Sequence, residues 1–237
     1  PIQSDEKPLP KRSILLGNNK YLKLLGVKPD WNLLGDEGYF IRTVKKHLVI
    51  VGGPVRGTAY GIYGLLGDHL GCRWFTPEVS RVPQYKRLRL GRLNETYVPK
   101  LMYRESFWVE AKDPMWNLRN RMNAAWIIRL DEEHGGCFYW HGVHTFYVFC
   151  PPAQYFESHP EYFSLIDGKR SADHAQLCLT NPDVVKLAVN WAKELFRADP
   201  NTRVADISQN DWHGACQCDP CQAIAKREES EAGPLLH

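Results

Sequence analysis

The densest chemistry in the chain lies in Ser208-Gln209-Asn210-Asp211-Trp212-His213, which follows an apolar strand signal and precedes a helix signal. In parallel α/β proteins, catalytic groups sit where a strand ends and its loop begins. An Asp beside a Trp suits a general acid, because partial desolvation favours the protonated carboxyl. Asp211 is therefore the candidate catalytic acid, with Asn210 and Trp212 as substrate contacts. The competing role for Asp211 is a helix N-cap in a polar turn. Asp206, inside the strand, is the alternative inward-pointing carboxylate.

A second motif follows directly. Cys216-x-Cys218-x-x-Cys221, with His213 three residues upstream, offers three thiolates and an imidazole. Such a set fills a tetrahedral zinc site and leaves no open position, so any zinc here is structural. The Cys-x-Cys spacing departs from paired Cys-x-x-Cys knuckles, and buried thiols or a local disulfide are the other readings. The leading expectation is no cofactor, with structural zinc on His213, Cys216, Cys218 and Cys221 as the alternative. The remaining cysteines, Cys72, Cys137, Cys150 and Cys178, are dispersed. Seven in total, an odd number, spells no disulfide framework.

Between Phe138 and Phe163 stand ten aromatic residues together with His141, His144 and His159. Flat rings beside polar tips suit the C–H faces and hydroxyls of a sugar. The same rings suit a hydrophobic core under a long loop. His144 and Tyr147 are the binding candidates. Trp116 to Asn123 packs Arg and Asn into one short helix signal, so Arg119 or Arg121 is a candidate to clamp a carboxylate or hydroxyl, with Asn123 as a further substrate contact. A solvated, salt-bridged face is the other reading. Gly52-Gly53-Pro54-Val55-Arg56-Gly57-Thr58 mimics the glycine frame of a phosphate loop but lacks its Lys, so nucleotide binding is rejected.

The elements that must position these groups fall into two regions. Ser13 to Leu16 reads as a strand. Tyr39 to Val44 and Leu48 to Val51 flank the turn Lys45-Lys46-His47 as a hairpin. Val55, Ala59, Ile62, Leu66 and Leu70 form the apolar stripe of a helix over 55–70. Gly57, Gly61 and Gly64 make a smooth ridge on it for close packing. Pro77, Pro83, Gly91 and Pro99 punctuate a boundary. Beyond it, strand signals (Leu101 to Val109, Ala125 to Leu130, Gln176 to Leu179, Arg203 to Ser208) alternate with helix signals. Helices are predicted over Pro114 to Asn123 with Asp113 as N-cap, after Asn181 with Pro182 at its first position, and from Cys218 onward. In the second of these, Val184, Ala188, Trp191 and Leu195 form the buried stripe. Repeated β-then-α units predict a parallel sheet or barrel.

The expected architecture is α/β: residues 1–11 a linker or arm, 12–95 a small α/β sandwich domain, and 96–237 the first part of a TIM-type (β/α)8 barrel. The chain holds about four β/α units, half of such a barrel. It is accordingly expected to be a C-terminally truncated fragment, the remaining half lying outside it. An uncovered sheet edge predicts poor solubility. The net charge of +3 gives no electrostatic argument for nucleic acid, and the apolar runs are too short to cross a bilayer. The chain starts at Pro1 and carries no signal-peptide pattern.

Two resemblances attach to quoted residues. Val49-Ile-Val-Gly-Gly-Pro-Val-Arg-Gly-Thr-Ala-Tyr-Gly-Ile-Tyr-Gly64 and Gly71-Cys-Arg-Trp-Phe-Thr-Pro77 resemble the small N-terminal α/β domain of bacterial β-N-acetylhexosaminidases and α-glucuronidases. His144-Thr-Phe-Tyr147, His159-Pro-Glu-Tyr-Phe-Ser164, Leu177-Cys-Leu-Thr-Asn-Pro182, Ser208-Gln-Asn-Asp211 and the cysteine run resemble a bacterial domain of unknown function, number 4838. The resemblance implies a barrel after the small domain, an extracytoplasmic setting and a carbohydrate substrate. The hexosaminidases carry an Asp-Glu pair after the fourth strand, where this chain reads Asn210-Asp211. The expected function is glycoside hydrolysis with Asp211 as acid. A non-catalytic glycan-binding protein on the same scaffold is the alternative, and a zinc-stabilised interaction module is a third reading.

Overall fold

The structure, a computed structural model, describes residues 2–106, 108–123, 130–136, 139–199 and 202–236. It divides into two compact units, Pro1–Phe138 and Tyr139–His237. Both mix strands and helices, and the described residues form no closed barrel.

The first unit is built on a sheet of β1 (Ile14–Leu16), β2 (Tyr39–Val44), β3 (His47–Gly52) and β4 (Asn94–Tyr97), in the order β1-β3-β2-β4. The expected hairpin forms with full register from Tyr39↔Gly52 to Val44↔His47. Lys45, at φ 54°, takes the left-handed conformation that a tight two-residue turn requires. β1 adds in parallel beside β3, Leu15 opposite Val49. Alternation divides the apolar side chains between two faces. Leu15, Phe40, Val49 and Val51 pack with Tyr21, Leu22 and Leu34. Tyr39, Ile41 and Ile50 pack with Tyr60 and Leu65.

The second face is covered by the glycine-ridged helix, α1 (Gly57–Gly64). It is shorter than the expected 55–70, because Leu65–His69 continues it as a π-type turn. The ridge behaves as predicted. A Cβ at Gly61 would lie 2.6 Å from Ile50 Cγ2, one at Gly64 would run into the Tyr39 phenol, and one at Gly57 would meet the Gly38 carbonyl.

The segment that mimics a phosphate loop anchors this unit. Arg56 forms a buried ion pair with Glu37 at 2.7 Å, and its guanidinium also donates to the Gly135 carbonyl at 2.9 Å. Glu37 accepts further from Arg104 and from Asn123 Nδ2 at 3.0 Å. Tyr60 Oη donates to the Met122 carbonyl at 2.7 Å, and burial pushes this phenol up to about 12. These contacts tie Arg104, Met122, Asn123 and Gly135 to the sheet and helix of the first unit, which runs to Phe138. No strand forms in the described part of 101–109. There Arg104 N donates to Asn123 Oδ1 and the Arg104 guanidinium to the Leu101 carbonyl, so side chains take the places of a ladder partner. The helix α2 (Pro114–Arg119) follows, capped as predicted by Asp113 and ending short of Asn123. The expected strand from Ala125 falls, except for Leu130, outside the described residues, as does Cys137.

The second unit pairs β5 (Tyr139–His141) in parallel with β6 (Thr202–Ala205). Among the helices of this unit are α3 (Phe146–Phe149), α4 (Pro182–Ala198) and α5 (Asp219–Arg227). Asn181 caps α4 by accepting from Asp183 N, and Pro182 opens it, as predicted. Val184 and Ala188 are buried, with Leu187 and Trp191 packed beside them. The expected strand at Gln176–Leu179 is reduced to a single bridge, Phe163↔Leu177, held by Cys178 N donating to Tyr162 O and Ser164 N to Gln176 O, while Gln176 N turns away to donate to Gly214 O. Most of the described aromatics between 146 and 163 form the core. Phe146 and Phe163 are fully buried, and Phe149, Tyr155, Phe156 and Tyr162 pack with them.

Candidate functional site

Two loops leave the C-terminal ends of the parallel strands β5 and β6, and backbone pairing locks them together. Thr145 N and Phe146 N both donate to Ser208 O, at 3.1 and 3.2 Å. Thr145 Oγ1 donates to Asp206 O at 2.7 Å and accepts from Ser208 N at 3.0 Å. Ser208 Oγ accepts from His144 N at 2.9 Å and lies 3.1 Å from Asp206 Oδ2. Asp206 thus helps to brace the loop through its backbone carbonyl and Oδ2.

This bracing sets two exposed polar groups side by side. His144, at φ 57°, places Nδ1 3.0 Å from the Gln209 carbonyl, which fixes the proton on Nδ1 in the neutral ring. Nε2 then faces the Asp211 carboxylate at 4.0 Å. The Asp211 side chain is 87% exposed. The apolar enclosure expected from its Trp neighbour is not formed around it, because the Trp212 ring packs instead on Tyr147 and His174 at centroid distances of 5.6 and 5.5 Å. Asp211 does not cap a helix either, since α5 begins only at Asp219.

Three of the other candidates point their polar ends inward, onto one carbonyl. Ala175 O accepts from Tyr147 Oη at 2.7 Å, Trp212 Nε1 at 2.8 Å and Asn210 Nδ2 at 3.3 Å. Burial pushes the Tyr147 phenol up to about 12. Asn210 is buried, and its backbone pairs in both directions with the Gln176 amide. Tyr147 and Asn210 therefore build the loop, while Trp212 keeps one edge in solvent. Gln176 is the residue that sequence reasoning missed, and only its position in an apolar stretch signalled it. Arg119 and Asn123 lie in the other unit. Asn123 is buried there with its amide wholly engaged by Glu37, Met102 O and Arg104 N. Arg119 ends α2, half-buried.

A cleft of about 260 Å³ opens beside this loop, its lining including Gln209, Trp212, His213, Cys216 and Cys221. Over residues 74–237 the chain matches the family model of a domain of unknown function, DUF4838. The chain belongs to the DUF4838 family. No curated protein and no solved structure matches it.

In this DUF4838 chain the cysteine run gathers a fourth thiol, and it is not accompanied by His213. Cys178, Cys216, Cys218 and Cys221 place their sulfurs within 4.8 Å of one another, a set that could hold a metal ion such as zinc. His213 is exposed and outside the cluster, so the expected ligand set is corrected to four cysteines. Cys178 arrives from the turn that precedes α4, Cys216 from the approach to α5, Cys218 from its N-cap position and Cys221 from its first turn. Hydrogen bonds from Cys216 and Cys221 hold the Cys178 thiol far below the usual thiol range, while hydrogen bonds to Cys178 and Cys216 push Cys221 up. No helix among the described residues is long and apolar enough to cross a membrane.

Proposed function

We propose that this protein acts on carbohydrate as a glycoside hydrolase, with the loops after β5 and β6 as part of its sugar site. One observation carries the reading. His144 Nε2 and the Asp211 carboxylate stand 4.0 Å apart, exposed, at the C-terminal ends of two parallel strands. That is where (β/α)8 enzymes place their reacting groups, and the two strands are read as staves of such a barrel. The likeness of the N-terminal region to hexosaminidase and α-glucuronidase domains supports the same reading, along with an extracytoplasmic setting.

In the proposed reaction, Asp211 gives its proton to the glycosidic oxygen as the bond from the anomeric carbon breaks. Water then supplies the hydroxyl to that carbon and returns a proton to the site. The solvent edge of Trp212 gives a sugar a ring face to stack on. The 87% exposure of Asp211 favours a second reading, a non-catalytic glycan-binding protein, because general acids of this type sit in apolar enclosures.

Reducing-sugar release from a panel of polysaccharides, measured beside glycan-array binding, separates the two. Hydrolysis is expected, and Asp211→Asn is expected to lower turnover at least about 100-fold, as loss of a general acid does. Binding without turnover in the natural-sequence protein assigns the second reading. Undiminished turnover by Asp211→Asn removes Asp211 from the chemistry.

A further inference from the structure

We infer that Cys178, Cys216, Cys218 and Cys221 form a four-thiolate structural zinc site that pins the Asn210–His213 loop to the core of the second unit. The inference stands independently of the sugar reading. Zinc–sulfur bonds of about 2.3 Å in a tetrahedron place neighbouring sulfurs about 3.8 Å apart. Cys178 Sγ lies 3.7 Å from Cys218 Sγ and 4.0 Å from Cys221 Sγ, and all four sulfurs lie within 4.8 Å of one another. The four are therefore already disposed around one point at metal-binding spacing.

The surroundings are those of a metal–thiolate shell. Leu165 N donates to Cys216 Sγ at 3.3 Å, and Arg170 Nη1 reaches the same sulfur at 3.8 Å. Thr180 Oγ1 lies 3.2 Å from Cys221 Sγ and 3.8 Å from Cys218 Sγ. Donors aimed at sulfur spread the net negative charge that four thiolates retain around a divalent ion, and the Arg170 guanidinium offsets part of it. Cys178, Cys216 and Cys221 are buried, and Cys218 is half-buried. Four protein ligands leave no open position, which makes the site structural. An all-sulfur tetrahedron suits zinc or iron, and zinc is bound the more tightly of the two divalent ions.

The site has a mechanical consequence. Gln176, two residues before Cys178, accepts from Asn210 N and donates to the carbonyls of Asn210 and Trp212. Gln176 N donates to Gly214 O at 3.0 Å, and Gly214 at φ 91° approaches His174 too closely for any Cβ. A metal that ties Cys178 to Cys216 closes this turn covalently at its far end. Trp212 is thereby held against Ala175.

Elemental analysis of the protein purified under reducing conditions is expected to give about one zinc per chain. X-ray absorption is expected to show four sulfur neighbours at about 2.3 Å. Cys178→Ser is expected to lose most of the zinc, while His213→Ala keeps it. Chelation is expected to shift Trp emission and lower the melting temperature, both reversed by added zinc. Zinc-free protein with intact thiols or with disulfides among these cysteines overturns the inference, as does bound iron in place of zinc. So does zinc that survives Cys178→Ser but not His213→Ala. Because the metal count and the sulfur shell are read on the unmutated chain, a misfolded variant leaves the test decisive.

Discussion

Gln176 and Asn210 bind each other in both directions: the Gln176 amide donates to Asn210 O at 3.0 Å and accepts from Asn210 N at 2.9 Å. Both residues are buried. One side chain thus substitutes for a strand partner at the point where the candidate loop turns. Truncating it leaves a buried N–H and several carbonyls without partners, at a cost of about 1–3 kcal/mol for each unsatisfied group. Gln176→Ala is expected to destabilise the protein by about 3 kcal/mol in chemical denaturation. It is also expected to speed hydrogen exchange at Asn210. A loss under about 0.5 kcal/mol, the range of neutral surface changes, would show that the loop holds itself.

Glu37 joins Arg56, Arg104 and Asn123 in one cluster, with side-chain exposures of 11% for Glu37, 6% for Arg56 and 14% for Arg104. Removing the carboxylate leaves two guanidinium groups in a poorly solvated place, which costs about 3–5 kcal/mol when one member of a buried pair is lost. Glu37→Ala is expected to fall in that range. The pair Arg121–Asp68 is the control, with Asp68 51% exposed, and Asp68→Ala is expected to cost under about 1 kcal/mol. Equal midpoint shifts for the two variants in urea would refute the distinction.

The glycine ridge makes a prediction of sign. Alanine raises helix propensity over glycine by about 1 kcal/mol, yet a Cβ at Gly64 meets the Tyr39 phenol. Gly64→Ala is expected to destabilise by about 1–3 kcal/mol, the cost of overpacking. At Gly67 the nearest atom to an added Cβ is 3.8 Å away, so Gly67→Ala is expected to be neutral or stabilising. Thermal melts of the two variants moving in the same direction would contradict this reading.

What the sequence made legible was local. Asp113 and Asn181, each followed by a proline, announced their helices because a cap and its partner lie within three residues. The β2–β3 hairpin was readable from alternation and its turn. The failures share a different cause. Cys178 is separated by forty residues from Cys218, and the spacing rules that flagged Cys216, Cys218 and Cys221 cannot see a ligand delivered by another turn. His213 was favoured by proximity in sequence, yet its side chain faces solvent. The stretch 101–109 reads as a strand, while Arg104 and Asn123 supply hydrogen bonds that a neighbouring strand would have made. The first unit holds both Arg119 and Asn123, and the second holds His144, Asp211 and Trp212.

Trp212 separates the two duties of the candidate loop. Its Nε1–H is spent on Ala175 O at 2.8 Å, and its ring lies against Tyr147, yet it remains 37% exposed. The inner edge holds the loop and the outer edge is free for a ligand. Trp212→Phe keeps a ring for stacking but loses the indole donor, and Trp212→Ala loses both. If the outer edge stacks on sugar, Trp212→Ala should weaken binding to a cognate glycan by about tenfold, the equivalent of about 1.4 kcal/mol. Trp212→Phe should bind within about threefold of the unchanged protein, on the same scale of about 0.6 kcal/mol. Both variants should melt lower, because both lose the bond to Ala175. Isothermal titration against a glycan identified by array reads the affinity, and calorimetric melts read the structural loss. Affinity that tracks the melting temperature through both variants, with no difference between Phe and Ala beyond stability, would leave Trp212 a purely structural role.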